Sequence, residues 1–96
     1  MDINIENTTF IIVTYKSEKI IYNCLNSLPE NSIKIIIENS KNLNLKKDLE
    51  MKYKNLSVWL NENSGFGASN NLGIKKCNTQ FAYILNPDVT FQKDTF

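Results

Sequence analysis

Asp88 stands just past an apolar run, Phe81-Ala82-Tyr83-Ile84-Leu85, and is joined to it by Asn86-Pro87. A carboxylate set at the end of a buried strand and stiffened by a proline suits a hard divalent cation, Mg²⁺ or Mn²⁺, that also takes oxygens from substrate phosphates. The same residue types are common in turns, so the two readings weigh about evenly. Glu38 closes a second apolar run, Ile33 to Ile37, and reads either as a solvated strand-end acid or as a ligand to a sugar or base hydroxyl. Thr14 and Tyr15 close a third run that begins at Phe10. Asn61-Glu62-Asn63-Ser64-Gly65-Phe66-Gly67 is polar, glycine-punctuated and followed by a helical pattern, so main-chain N–H groups there could face an anion with a helix dipole behind them. It is not a dinucleotide fingerprint, because Asn70 stands at the third glycine position, and no Gly-Lys-Ser/Thr makes it a Walker loop. Taken alone, the glycines need no more than a tight strand-to-helix turn. Asn70 and Asn71 are mediocre helix formers placed together in a first turn, which points to hydrogen-bonding work or capping.

Composition narrows the chemistry further. The chain has 96 residues, 11 Lys and Arg against 10 Asp and Glu, and a formal charge of +1. Every basic residue is Lys, and with neither Arg nor His, imidazole acid–base catalysis and guanidinium clamps on phosphate are excluded. An anion site must therefore use main-chain N–H groups, Lys or a metal ion. The lysines are scattered, with pairs at Lys46-Lys47 and Lys75-Lys76, which is no nucleic-acid footprint. Cys24 and Cys77 fall in predicted helices without CxxC spacing and read as small hydrophobes in a reducing compartment. The acidic start, Met1 to Glu6, lacks the order of a signal peptide, and no apolar run is long enough for a transmembrane segment. The expected location is the cytoplasm, including the inner membrane face.

These residues need a scaffold that brings strand ends together. Phe10 to Tyr15 is a continuous β-branched and aromatic run, which suits a strand buried on both faces. Ser17 is positioned to cap a helix with Ile20, Ile21, Cys24, Leu25 and Leu28 on one stripe, stopped by Pro29. Ile33 to Ile37 predicts a second strand, and Leu45, Leu49 and Tyr53 predict a short amphipathic helix. Leu56 to Leu60 predicts a third strand, Ala68 to Cys77 a third helix despite Gly73, and Phe81 to Leu85 a fourth strand. Strands alternating with helices imply an α/β fold with parallel pairing through right-handed crossovers. The expected strand order is 3-2-1-4, which places the switch point between the first and fourth strands. The ends at Thr14-Tyr15 and Asn86-Asp88 then flank one crevice, with Glu38 on the neighbouring strand.

The order of segments carries a further signal. Ile-Ile-Val-Thr-Tyr, then Ile-Ile-Ile-Glu-Asn-Ser, then Asn-Glu-Asn-Ser-Gly-Phe-Gly-Ala-Ser-Asn-Asn-Leu-Gly-Ile, then Tyr-Ile-Leu-Asn-Pro-Asp-Val resembles the family 2 glycosyltransferases, and most of all their rhamnosyltransferase-like branch. The resemblance runs from Phe10 to Asp88 and implies a Rossmann-like GT-A nucleotide-binding half. By match, Thr14 and Tyr15 would border the nucleotide, and Glu38 takes the place of an Asp that faces base or ribose. Asn63, Gly65, Asn70 and Asn71 would line the donor pocket, and Asp88, with Asn86 beside it, would bring Mg²⁺ or Mn²⁺ to the donor diphosphate. The implied donor is a nucleotide diphosphate sugar of the dTDP, UDP or GDP type, and the implied acceptor is a glycan or lipid-linked group.

Two departures qualify that picture. Glu38 is one methylene longer than Asp, which shifts any contact it makes. Eight residues follow Asp88, so residues 1–96 are expected to form a single partial domain without the acceptor half and its general base. Such a polypeptide would bind donor and show no transfer. A rival reading is a non-catalytic nucleotide-binding or scaffold remnant that acts through a partner. A nucleotidyltransferase is disfavoured, since Tyr15-Lys16-Ser17-Glu18 has no glycine. The fourth strand is expected at an exposed sheet edge and to promote self-association.

Overall fold

The computed structural model describes residues 5–62 and 65–92. After one 3₁₀ turn at Ile5–Asn7 the elements run β1 (Thr8–Thr14), α1 (Ile21–Ser27), β2 (Ile33–Glu38), α2 (Leu43–Lys52), β3 (Leu56–Leu60), α3 (Phe66–Lys76) and β4 (Phe81–Leu85). The four strands form one parallel sheet in the order β3-β2-β1-β4. This is the doubly wound, Rossmann-like arrangement that the apolar runs predict, with β1 and β2 at the centre. Every residue of β1 is buried, including Thr8 and Thr9, and the Thr9 hydroxyl is satisfied by Thr79 Oγ1 at 2.7 Å.

Strand alternation divides the core in two. On one face Phe10 and Ile12, with Ile36, Val58 and Leu85, pack against Ile21, Cys24, Leu25 and Leu28 around α1 and Leu45 and Leu49 of α2. On the other, Val13, Ile35 and Ile37 meet Leu72 of α3. Gly73 lets α3 approach that face closely: a Cβ there would lie 2.4 Å from Ile11 Cγ2 and 3.6 Å from Ile37 Cγ1. The glycine that weakens the helical pattern is thus what allows the helix to dock.

The structure corrects two boundaries. Ser17 does not cap α1 with its side chain. Its hydroxyl exchanges hydrogen bonds with Tyr15 N and O at 3.2 Å, while its carbonyl accepts from Ile20 N and Ile21 N at 3.0 Å. The hydroxyl is spent on the turn, so the helix begins later. Helix α3 starts two residues before Ala68, because Gly65, at φ 90°, turns the chain into it.

Lys34, an apparent polar interruption of β2, is 1% exposed at the sheet's amino edge. Its Nζ donates to the carbonyls of Glu30 at 3.0 Å and Lys54 at 3.1 Å. Burial lowers its pKa, and the nearby Glu30 carboxylate works against that. The outer strand β3 is covered by α2: Lys46 Nζ donates to Val58 O at 2.6 Å, and Glu50 Oε2 accepts from Val58 N at 2.9 Å. An i,i+4 ion pair, closed at 2.9 Å, takes the place of a neighbouring strand. Among the described residues no helix is long and apolar enough to cross a membrane.

Candidate functional site

The carboxyl edge of the sheet is knit together by polar groups that come directly after apolar strands. Asn39 N donates to Thr14 O at 2.8 Å and Asn61 N to Glu38 O at 2.9 Å, which ties β1, β2 and β3 at their ends. The Asn39 side chain extends the tie: Nδ2 donates to Ser69 Oγ of α3 at 2.7 Å, and Oδ1 accepts from Asn61 Nδ2 at 3.2 Å. Ser69 is fully buried and Asn39 nearly so. Buried polar groups persist when paired in this way, and a paired network fixes the relative positions of its elements. The first turn of α3 is therefore held against the ends of β2 and β3.

Thr14 and Glu38 are brought together, as their strand-end positions predict. Thr14 Oγ1 donates to Glu38 Oε1 at 3.2 Å, and both residues are 0% exposed. The Glu38 carboxylate also accepts from Ser40 Oγ at 2.7 Å and Asn42 N at 2.7 Å. Tyr15, just beyond β1, is half exposed, and Lys16 Nζ lies 5.4 Å from its ring centroid. Lys16 adopts φ 52°, a left-handed conformation unusual outside glycine, and its N–H donates to Ser40 Oγ at 3.3 Å. The loop after β1 is thereby fastened to the loop after β2.

Gly65 and Gly67 are exposed at the start of α3, and no side-chain cap of that helix is found among the described residues. By contrast Asn42 caps α2, accepting from Leu45 N at 3.0 Å. Asn71 is exposed, whereas Asn70 places its Oδ1 out of solvent with no hydrogen-bond partner among the described residues. An orphaned buried acceptor costs about 1–3 kcal/mol, which makes it a place to look for a ligand. Asn63 lies outside the described residues.

Asn86-Pro87-Asp88-Val89 forms a turn, closed by Val89 N donating to Asn86 O at 3.1 Å. Both Asn86 and Asp88 are exposed on it, beyond Leu85, which pairs with Ile12 two residues before the end of β1. The turn and the ligand readings of this segment are thus compatible, because the turn is what presents the carboxylate. Asp88 lies near enough to α1 to act on Cys24, whose thiol is pushed up to about 11, first by burial and then by that negative charge. Among the described residues no three Asp, Glu, Cys or His side chains gather into a metal cage. A lone exposed carboxylate fits a cation that draws its remaining ligands from phosphate and water, as Mg²⁺ commonly does.

Sequence reasoning overlooked Asn39, Ser40, Asn42, Asn61 and Ser69, which build the site's frame. The available signal was the polar run Glu38 to Asn42 opening abruptly after five apolar-rich positions. The family model described as "Glycosyl transferase family 2" matches residues 9–96. Among solved structures, that of S. aureus TarS is similar, with a TM-score of 0.74 at 24% identity, over 93% of this chain and 18% of the TarS chain. At that identity the likeness bears on the fold, and the chain spans a small part of TarS. No curated protein matches the chain.

Proposed function

The chain belongs to glycosyl transferase family 2, and from that premise we propose that the carboxyl edge of its sheet binds a nucleotide diphosphate sugar, the donor for inverting transfer to a glycan or lipid-linked acceptor. What supports this most is the exposed Asp88 carboxylate, held on a proline turn at the same sheet edge as the glycine-led start of α3. Tyr15, just beyond β1, borders the nucleotide with the buried Thr14 supporting it from behind, while Gly65 at the cap of α3 and Asn70 and Asn71 in its first turns approach from the other side. Asn70 offers its unpaired oxygen to a donor hydroxyl or amino group, and the N–H groups that open α3 favour negative charge. Asp88, with Asn86 alongside, would hold Mg²⁺ or Mn²⁺ against the diphosphate. When bound, that ion stabilises the charge that builds on the departing nucleoside diphosphate. A chain without Arg or His has few other means of doing so.

The test is calorimetric titration with UDP, dTDP and GDP, each with and without Mn²⁺. Binding of at least one nucleotide, strengthened by Mn²⁺ in the native chain but not in Asp88→Asn, is the expected result. Absence of heat with all three at millimolar protein would reject the proposal.

A further inference from the structure

Glu38 has the composition of a ligand and the surroundings of a fastener. Its carboxylate is 0% exposed and accepts from three neutral donors: Thr14 Oγ1 and Ser40 Oγ on Oε1, and Asn42 N on Oε2. Each donor belongs to a different part of the site. Thr14 is the last residue of β1, Ser40 accepts from Lys16 N in the loop after β1, and Asn42 caps α2. A carboxylate engaged from these directions and shielded from solvent has no open edge to offer a nucleotide base.

We propose that Glu38 is a positioning residue, which holds the Tyr15-Lys16 loop and the start of α2 in register around the donor site, and that it does not itself read the base. This inference rests on the donor-site reading above. It also accounts for the choice of Glu. Oε1 is held by Thr14 at the end of β1 and by Ser40 in the loop after β2, while Oε2 must reach the cap of α2 four residues on. Aspartate is shorter by one bond, about 1.5 Å, and so cannot keep the strand-end contacts and still meet Asn42 N. Glutamine can keep the frame: its carbonyl accepts from Asn42 N, and its amide donates to the Thr14 and Ser40 hydroxyls, which rotate to accept.

Two measurements on the 96-residue chain decide the matter: amide hydrogen exchange at Asn42, and titration with UDP, dTDP and GDP plus Mn²⁺. Glu38→Ala and Glu38→Asp should speed exchange at Asn42 by roughly tenfold or more, and Glu38→Gln should leave it near the native rate. For whichever nucleotides the native chain binds, Glu38→Ala should weaken all by a similar factor and preserve their order, with Glu38→Gln restoring affinity. A changed order of nucleotide preference with Asn42 protection intact overturns the proposal and makes Glu38 a base-reading ligand. Unchanged protection at Asn42 in both Glu38→Asp and Glu38→Ala also overturns it. If the native chain binds none of the nucleotides, the donor-site reading fails, and the exchange measurement still decides whether Glu38 pins the loop. Should Glu38→Ala fail to fold, Glu38→Asp carries the comparison.

Discussion

Asn70 holds a buried oxygen without a partner, while its neighbour Ser69 is buried and satisfied by Asn39. An unsatisfied acceptor works against folding, so a side chain kept for structure alone would be improved by removing it. Asn70→Ala should therefore melt no lower than the native chain, yet bind nucleotide with Mn²⁺ several-fold more weakly. Thermal denaturation and calorimetry on the same sample check both halves, and a lower melting temperature with unchanged affinity would make Asn70 structural. Residue type explains why parts of this site were legible in the sequence. Asp88 and Thr14 end long apolar runs, so their location followed from the strands. Asn39 and Ser69 have types found on any surface, and their importance comes from a contact across 30 positions of sequence that no local pattern records. Glu38 was legible as a place but not as a posture, because its three donors become neighbours only after β1, β2 and α2 assemble.

At the scale of elements, burial made the strands readable. Central parallel strands are covered on both faces, so β1 and β2 appear as largely apolar runs, broken in β2 by Lys34 alone between Ile33 and Ile37, and their pairing order follows from the crossovers. Helix starts were less readable because hydroxyls and glycines have rival uses, as Ser17 and Gly65 show. Gly73 is the clearest case of tertiary packing overriding propensity. Alanine is worth about 1 kcal/mol over glycine in a helix, but here its methyl would meet a branched methyl of a central strand at 2.4 Å. Gly73→Ala should destabilise the chain by about 1–3 kcal/mol in urea unfolding, in keeping with overpacked cores, whereas a gain would show that α3 floats free of β1. The Lys46–Glu50 cover of β3 makes a separate prediction. Burial alone would raise the Glu50 pKa, but Val58 N–H and Lys46 outweigh it and hold the value below 4.5. A carboxylate depressed in the folded state contributes stability that is complete above its unfolded pKa and is lost as pH falls through the folded one. Glu50→Gln should thus flatten the loss of melting temperature below about pH 4.5 relative to the native chain; identical acid profiles would discount the contact.

At the scale of the whole molecule, the sheet formed by the described residues has two edges, β3 and β4, and they are treated differently. The β3 edge is occupied by a helix-borne ion pair that satisfies both main-chain groups of Val58. The β4 edge has no comparable cover among the described residues, and it carries Phe81 at 55% and Ile84 at 41% exposure. Four of the five β4 residues are at least partly exposed, so this strand joins apolar side chains to an edge on which no further strand pairs among the described residues. Such an edge templates further pairing unless charge or a covering element blocks it. We predict that the 96-residue chain self-associates through β4, with a sedimentation coefficient and a melting temperature that rise with protein concentration. Ile84→Lys places a charge on that edge beside Ile11 in the register and should return the chain to a monomer without altering the α1 and α2 side of the core. The corresponding change at the covered edge, Ser57→Lys on β3, serves as the control and should leave association as it is. A single monomeric boundary and a concentration-independent melt in the native chain would show that β4 is protected.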